Sequence, residues 1–448
     1  MFCERKFAMK FRFVLVLLVV ALAFSSFSAL AQDPIEEWAA GIKDAYGGTE
    51  ITVAVASHPS IEAFKTMIPR FEELTGISVV LDEMEEGQLS QRRLLEVSAE
   101  SASYDAMMTA IEWNAQVAQS GYATPLEPWI ESDITPDWFN YEDILQAYRD
   151  MFLWEDGMHY GIPFAGETVF MFYREDLLEE HGIAVPTTYA EVMEAAKYFS
   201  ENVDGVDGIS YRARLGWEFT YMWSIFLAPF GGMMVDPETG AVALDSPGTV
   251  ASLEYVRDLW QYGPVGVESF SFPEAWDAFM LGRAAIMIEA SAAAPEVENP
   301  DKSLVAGMTG YSKLPAGPAG AYSGVWGWSF AMMDDSEVKE ATWAFIAYLT
   351  SEGLQADYLA NGGIVSRQSA LGDPDLQAAN PYYQATLDAL GQAADLGAAG
   401  LAVVLPSPKW SQVSSIMGTE GGRAFIGEIT VEEAVASMQA QVSEVLAE

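Results

Sequence analysis

The sequence predicts an α/β protein built as two lobes. Two observations carry this: a strand–helix alternation over residues 51–111, and a length beyond one ordinary core. Residues 33–48 read as a short helix and turn. The run 51–57 is continuously apolar, the pattern of a strand buried on both faces. Phe64, Ile68, Phe71 and Leu74 or Thr75 then recur at helical spacing, with Pro69 expected to bend that helix and Gly76 to end it. Residues 77–83 form the second expected strand, 88–99 a helix and 104–111 the third strand. This βαβαβ order implies a parallel sheet with helices on its faces.

Further along, Thr188 and Glu191 form a capping box that opens a helix to about residue 200. An Asp/Gly-rich turn follows at 202–208, and Ser246 starts a helix over 250–262. Ser271 and Glu274 form a second capping box; its helix ends near Gly282, and 284–289 reads as a strand. A Gly/Pro/Ala linker at 315–320 precedes an apolar run at 325–333, and an amphipathic helix is expected over 338–349. The remainder reads as mostly helical, broken at Gly362-Gly363, Pro374, Pro381 and Pro406/Pro408, without internal repeats.

The N-terminus has the form of a signal peptide over residues 1–31. Arg5, Lys6, Lys10 and Arg12 make a basic start, residues 13–24 an uncharged apolar run, and Ala29-Leu30-Ala31 a cleavage site. Twelve apolar residues fall short of the roughly twenty that span a bilayer. Cys3, the only cysteine, precedes that run, whereas a lipoprotein signal carries its cysteine after it. The mature chain is therefore expected to be secreted without a lipid anchor and to lack disulfides and thiolate metal sites.

Removing residues 1–31 takes away one acid and four bases, leaving 64 acids against 18 bases, a net charge of −46. Such a field repels nucleic acid, anionic lipid and anionic ligands, and favours a neutral or cationic solute. Abundant acids with nine lysines suit a salty habitat as well as simple solubility. Half of the residues are hydrophobic, as in a folded globular chain.

Catalytic signatures are absent. His58, His159 and His181 show no metal-ligand spacing, and no GxGxxG, GxxxxGK or GxSxG occurs. Carboxylates are so numerous that no pair stands out as a glycosidase dyad. The chain is instead rich in what a polyhydroxylated ligand needs. Thirteen tryptophans offer flat faces for C–H surfaces, and Glu and Arg beside them offer charge-assisted hydrogen bonds to hydroxyls.

The most informative stretch is Tyr160-Gly-Ile-Pro-Phe-Ala-Gly-Glu-Thr-Val-Phe-Met-Phe-Tyr-Arg-Glu-Asp-Leu177. It resembles the inter-lobe crossover of extracellular solute-binding proteins, the capture subunits of ABC importers. The resemblance runs from about Ile51 to Leu371 and is nearest the branch that binds sugar alcohols and related sugars. Glu85-Glu86 with Gln91-Arg92, the Arg212–Trp217 element, Phe230-Gly-Gly232 and Tyr262-Gly-Pro-Val-Gly266 match it. So do Phe279-Met-Leu-Gly282, Asn299-Pro-Asp-Lys-Ser303 and Trp326-Gly-Trp328. Two positions depart: His58 stands where an Asn is usual, and Glu289 where an Asp is usual.

The resemblance implies a two-lobe periplasmic-binding-protein-like fold with a ligand cleft between the lobes. Lobe one would hold 32–164 and 308–350, and lobe two 167–306 and 352–448. It implies a monomer that closes on a neutral carbohydrate and docks on a membrane permease at the periplasm or cell surface. Neither catalysis, cofactor, metal nor nucleic acid is expected.

The expected ligand contacts are His58, Arg92, Glu112, Trp113, Glu167, Arg212, Trp217, Glu289, Trp326, Trp328, Arg367 and Trp410. His58 follows the first strand, where it could instead cap the next helix, and Glu112-Trp113 follow the third. Ligands of open α/β sheets sit beyond such carboxyl ends. Trp326 and Trp328 share a strand face, fit for stacking on ligand or for the core. Arg212 and Trp217 flank a Gly-containing loop, and could equally form a structural ion pair and ordinary packing. Rival readings are a secreted carbohydrate-active enzyme, or a binder of oligosaccharides or cationic solutes.

Overall fold

The computed structural model describes residues 33–99 and 103–447. The expected signal segment and Cys3 lie outside them. Among the described residues no helix is long and apolar enough to cross a membrane.

Strands β1 (Glu50–Ala56), β2 (Ser78–Met84) and β3 (Ala106–Ala110) are all parallel, as the βαβαβ reading requires. The helix Pro59–Thr75 runs unbroken through Pro69 and stops at Gly76, which takes the left-handed conformation at φ 67°. β4 (Ile162–Arg174), β5 (Asp207–Ser210), β6 (Ala284–Ala290), β7 (Thr309–Ser312) and β8 (Val325–Met332) complete the sheet. The strand order is β2-β1-β3-β8-β4-β6-β5, with β7 also paired to β4. β8 lies antiparallel between β3 and β4 and so joins the two halves.

The crossover is a single strand. β4 pairs with β8 over residues 162–168 and with β6 over 169–173. All of it except Arg174 is buried, which explains the near-continuous apolar sequence. Gly166 is required there: a Cβ would lie 1.9 Å from the ring of Tyr148, which is itself fully buried. The next residue, Glu167, is opposite Trp326.

Two hydrophobic cores flank this seam. One includes Phe64, Phe164, Phe330 and Tyr358, with Phe64 stacked on Tyr358 at 4.8 Å. The other includes Phe219, Trp223, Trp326, Trp410 and Phe425. The stretch 352–448, expected in one lobe, divides between them. Tyr358, Ile364, Tyr383 and Ala389 enter the first core, and Leu396 to Val442 the second. The helix Lys339–Leu349 also departs from expectation. Residues 341–349 are buried on every side, so it is an internal helix and not a surface amphipathic one.

Thirteen of the 18 bases in the described region already sit in ion pairs, most of them exposed. Eighteen bases cannot neutralise 64 acids, so the surface repels itself. At about 0.01 M salt the Debye length is roughly 30 Å, and at about 1 M roughly 3 Å. The melting temperature should therefore rise steeply with the first additions of sodium chloride. A flat or falling melting temperature over that range would remove self-repulsion as a significant term.

Candidate ligand-binding site

The carboxyl ends of β1, β2 and β3 and the β4–β8 seam meet at a narrow cavity of about 40 Å³. His58, Glu86 and Glu112 come from the strand ends. Glu167 comes from β4, and Trp326 and Trp328 from β8. Arg212, Trp217, Tyr221, Phe272 and Trp276 close the other side.

His58 has two tasks. Its Nδ1 accepts the Ser60 N–H at 3.2 Å and caps the helix Pro59–Thr75. That assigns the proton to Nε2, which donates to Glu167 Oε1 at 3.1 Å. The capping and site readings of this residue are thus compatible.

Arg212 donates through Nε and Nη2 to the two Glu289 oxygens at 2.9 and 2.8 Å. Its guanidinium lies 4.3 Å from the Tyr221 ring centre and 5.6 Å from that of Phe272. Burial works against the charge of Arg212, but Glu289 outweighs it and raises the pKa. Glu289 is fully buried behind Arg212 and does not line the cavity. Its place is to fix the arginine.

The remaining acids have no such partner. Burial, reinforced by the nearby Glu112, Glu218 and Glu167 and opposed by Arg212, pushes Glu86 up to about 8. Burial, with the charge of Glu167, pushes Glu112 up to about 7. Trp276 Nε1 and the Tyr221 hydroxyl are buried without a hydrogen-bond partner.

The aromatic lining falls into two groups. Tyr221 meets Trp326 at 4.6 Å, Trp328 meets Trp113 edge-on at 5.6 Å, and His58 is 5.8 Å from Trp328. A second chamber of about 400 Å³ shares Glu86, Glu112, Trp217, Tyr221 and Trp326 with the first, and adds Trp113 and Trp410.

Ten of the twelve expected contacts thus gather here: nine line a chamber, and Glu289 stands behind one of them. Two lie elsewhere. Arg92 is half-exposed, 3.9 Å from Glu96 one turn along its helix, and lines neither chamber. Arg367 is fully buried and donates to the carbonyls of Phe139, Asn140 and Thr350. Sequence reasoning did not select Glu86, Tyr221, Phe272 or Trp276. Two signals were present: Tyr221 is four residues after Trp217, and Trp276 four after Phe272, the spacing that aligns side chains on one helix face.

Residues 56–356 match the model of a family described as bacterial extracellular solute-binding protein. A probable amino-acid ABC transporter periplasmic-binding protein of Sinorhizobium fredii is 26% identical over 422 residues, 93% of each chain. The mannitol-binding protein of Pseudomonas aeruginosa is 26% identical over 413 residues, 88% of this chain and 92% of its own. The crystal structure of an ABC transporter solute-binding protein from Agrobacterium vitis S4, with bound D-mannitol, superposes with a TM-score of 0.80. It is 26% identical and covers 89% of this chain and 98% of its own. With two thirds of its length matched by the family model, this chain belongs to the bacterial extracellular solute-binding proteins.

Proposed function

We propose that the protein captures a sugar or sugar alcohol outside the cytoplasm and delivers it to the permease of an ABC importer, without transforming it. The observation that supports this best is the composition of the cavity. Trp217, Tyr221, Trp326 and Trp328 supply flat apolar faces, and Glu86, Glu112, Glu167, Arg212 and His58 supply polar groups for hydroxyls. The mannitol-binding relative and the mannitol-bound neighbour support the same ligand class.

The cavity takes side chains from both cores and from the strand between them, so a ligand there favours the closed arrangement of the lobes. Arg214 also reaches Glu85 at 3.5 Å across the mouth. Of the expected contacts, His58, Glu112, Glu167, Arg212, Trp217, Trp326 and Trp328 are proposed as the primary site. Trp113 and Trp410 belong to the adjoining chamber.

A thermal-shift screen over sugars, sugar alcohols and their phosphates tests the ligand class. A ligand at about 100 times its Kd adds about 2.7 kcal/mol of stability. Stabilisation by phosphorylated compounds alone would refute the reading, and release of product from glycosides would favour the enzyme. Glu167→Ala should weaken binding by about 1–3 kcal/mol, through loss of the acceptor and of the His58 partner. Calorimetry giving wild-type affinity for this variant would move the site away from the crossover. Trp326→Ala is a poorer probe, because Trp326 is also a member of the second core.

A further inference from the structure

We propose that the solute carries a protonated amine beside its hydroxyls, as in an aminated sugar or an aminopolyol. This rests on the sugar reading and narrows it.

The argument is a balance of charge at the cavity. Glu86, Glu112 and Glu167 all line it. Its only lining guanidinium, Arg212, already spends two nitrogens on Glu289, so that pair is neutral as seen by a ligand. His58 uses Nδ1 as an acceptor for its helix cap, which makes the ring a neutral donor to Glu167. Among the described residues no lysine lines either chamber. Three carboxyl groups therefore converge, and the one further guanidinium acting on Glu112 is Arg93, buried 5.0 Å from the Trp113 ring and lining neither chamber. Burial, with a smaller contribution from the neighbouring acids, raises the pKa of both Glu86 and Glu112.

Two further observations say what else the solute holds. Trp276 Nε1, at a residue 7% exposed and on the cavity wall, has no acceptor. The buried Tyr221 hydroxyl is also unpartnered. A bare cation offers an indole N–H nothing, whereas a hydroxyl oxygen accepts from it. The aromatic walls serve both parts, since their faces attract an ammonium as well as C–H surfaces. The net charge of −46 on residues 32–448 raises the local concentration of a cationic solute and does nothing for a neutral one.

Matched pairs differing only in the amine test this by calorimetry at neutral pH on the mature chain. Suitable pairs are sorbitol with 1-amino-1-deoxysorbitol, mannose with mannosamine, and glucose with glucosamine. In at least one pair the amine should bind about tenfold tighter or better. Glu86→Gln and Glu112→Gln should each reduce that preference, the ratio of amine to neutral affinity within a pair, about tenfold. Circular dichroism melts confirm that both variants fold. Neutral members binding as tightly as their amines, in every pair, overturn the amine and leave the sugar reading standing. No binding by any member overturns the sugar reading and the amine with it.

Discussion

Arg212→Ala is expected to lower the unfolding free energy by about 3–5 kcal/mol, the usual cost of breaking a buried ion pair from one side. The reason lies in its partner. Glu289 is fully buried at the end of β6, and Arg212 supplies both of its side-chain partners, at 2.8 and 2.9 Å. Its other bond is to the backbone N–H of Ala290, at 2.7 Å. Without the guanidinium it becomes a buried carboxylate with one donor, and must either stay charged in the core or take up a proton. The double variant Arg212→Ala, Glu289→Ala removes that orphaned charge and should recover part of the loss. Equilibrium urea unfolding of the two variants checks this. A single variant within about 1 kcal/mol of wild type would show that water replaces the arginine at no cost, and that Glu289 is less enclosed than the structure shows. Binding should fail in both variants, because Arg212 also forms the floor beneath Tyr221.

The pair bears on what a sequence can disclose. Arg212 and Glu289 are 77 residues apart, and each was singled out separately. Nothing local indicates that they neutralise each other. The ends of β1 and β3 were easier, since βαβαβ order alone directs ligands to the carboxyl ends of strands. That logic located His58 and Glu112, and the resemblance of residues 160–177 to an inter-lobe crossover located Glu167. The helix Lys339–Leu349 misleads because Lys339 and Glu340 give it a polar start, while both of its faces are covered by more distant elements. Trp276 and Tyr221 were hidden for the opposite reason. An aromatic residue on a helix is far more often core than site, and only the assembled cavity distinguishes the two. Arg92 was decidable in advance, because Glu96 stands one helical turn away.

Arg367 is the residue whose placement only the tertiary structure supplies, and it leads to the second large effect. It follows Gly362-Gly363 in a segment that reads as a loop, yet its backbone pairs with Ile144 and its side chain is fully buried. Nη1 donates to the carbonyl of Asn140 at 2.7 Å, and Nη2 to those of Phe139 at 3.0 Å and Thr350. Asp143 lies at 3.4 Å. One side chain thus ties the segment 139–143 to the end of the helix Lys339–Leu349. Arg367→Ala would leave three carbonyls without that donor and an acid without its counter-charge. Each buried group left unsatisfied costs about 1–3 kcal/mol, so a total loss of about 3–5 kcal/mol is expected. Arg367→Lys should recover only part, since an ammonium cannot reproduce the planar fork that reaches several acceptors at once. Ligand affinity of the folded fraction should stay within about twofold, because Arg367 lines neither chamber. Urea unfolding and calorimetry on the same preparation separate the two effects. A variant with wild-type stability and much weaker binding would return Arg367 to the ligand site.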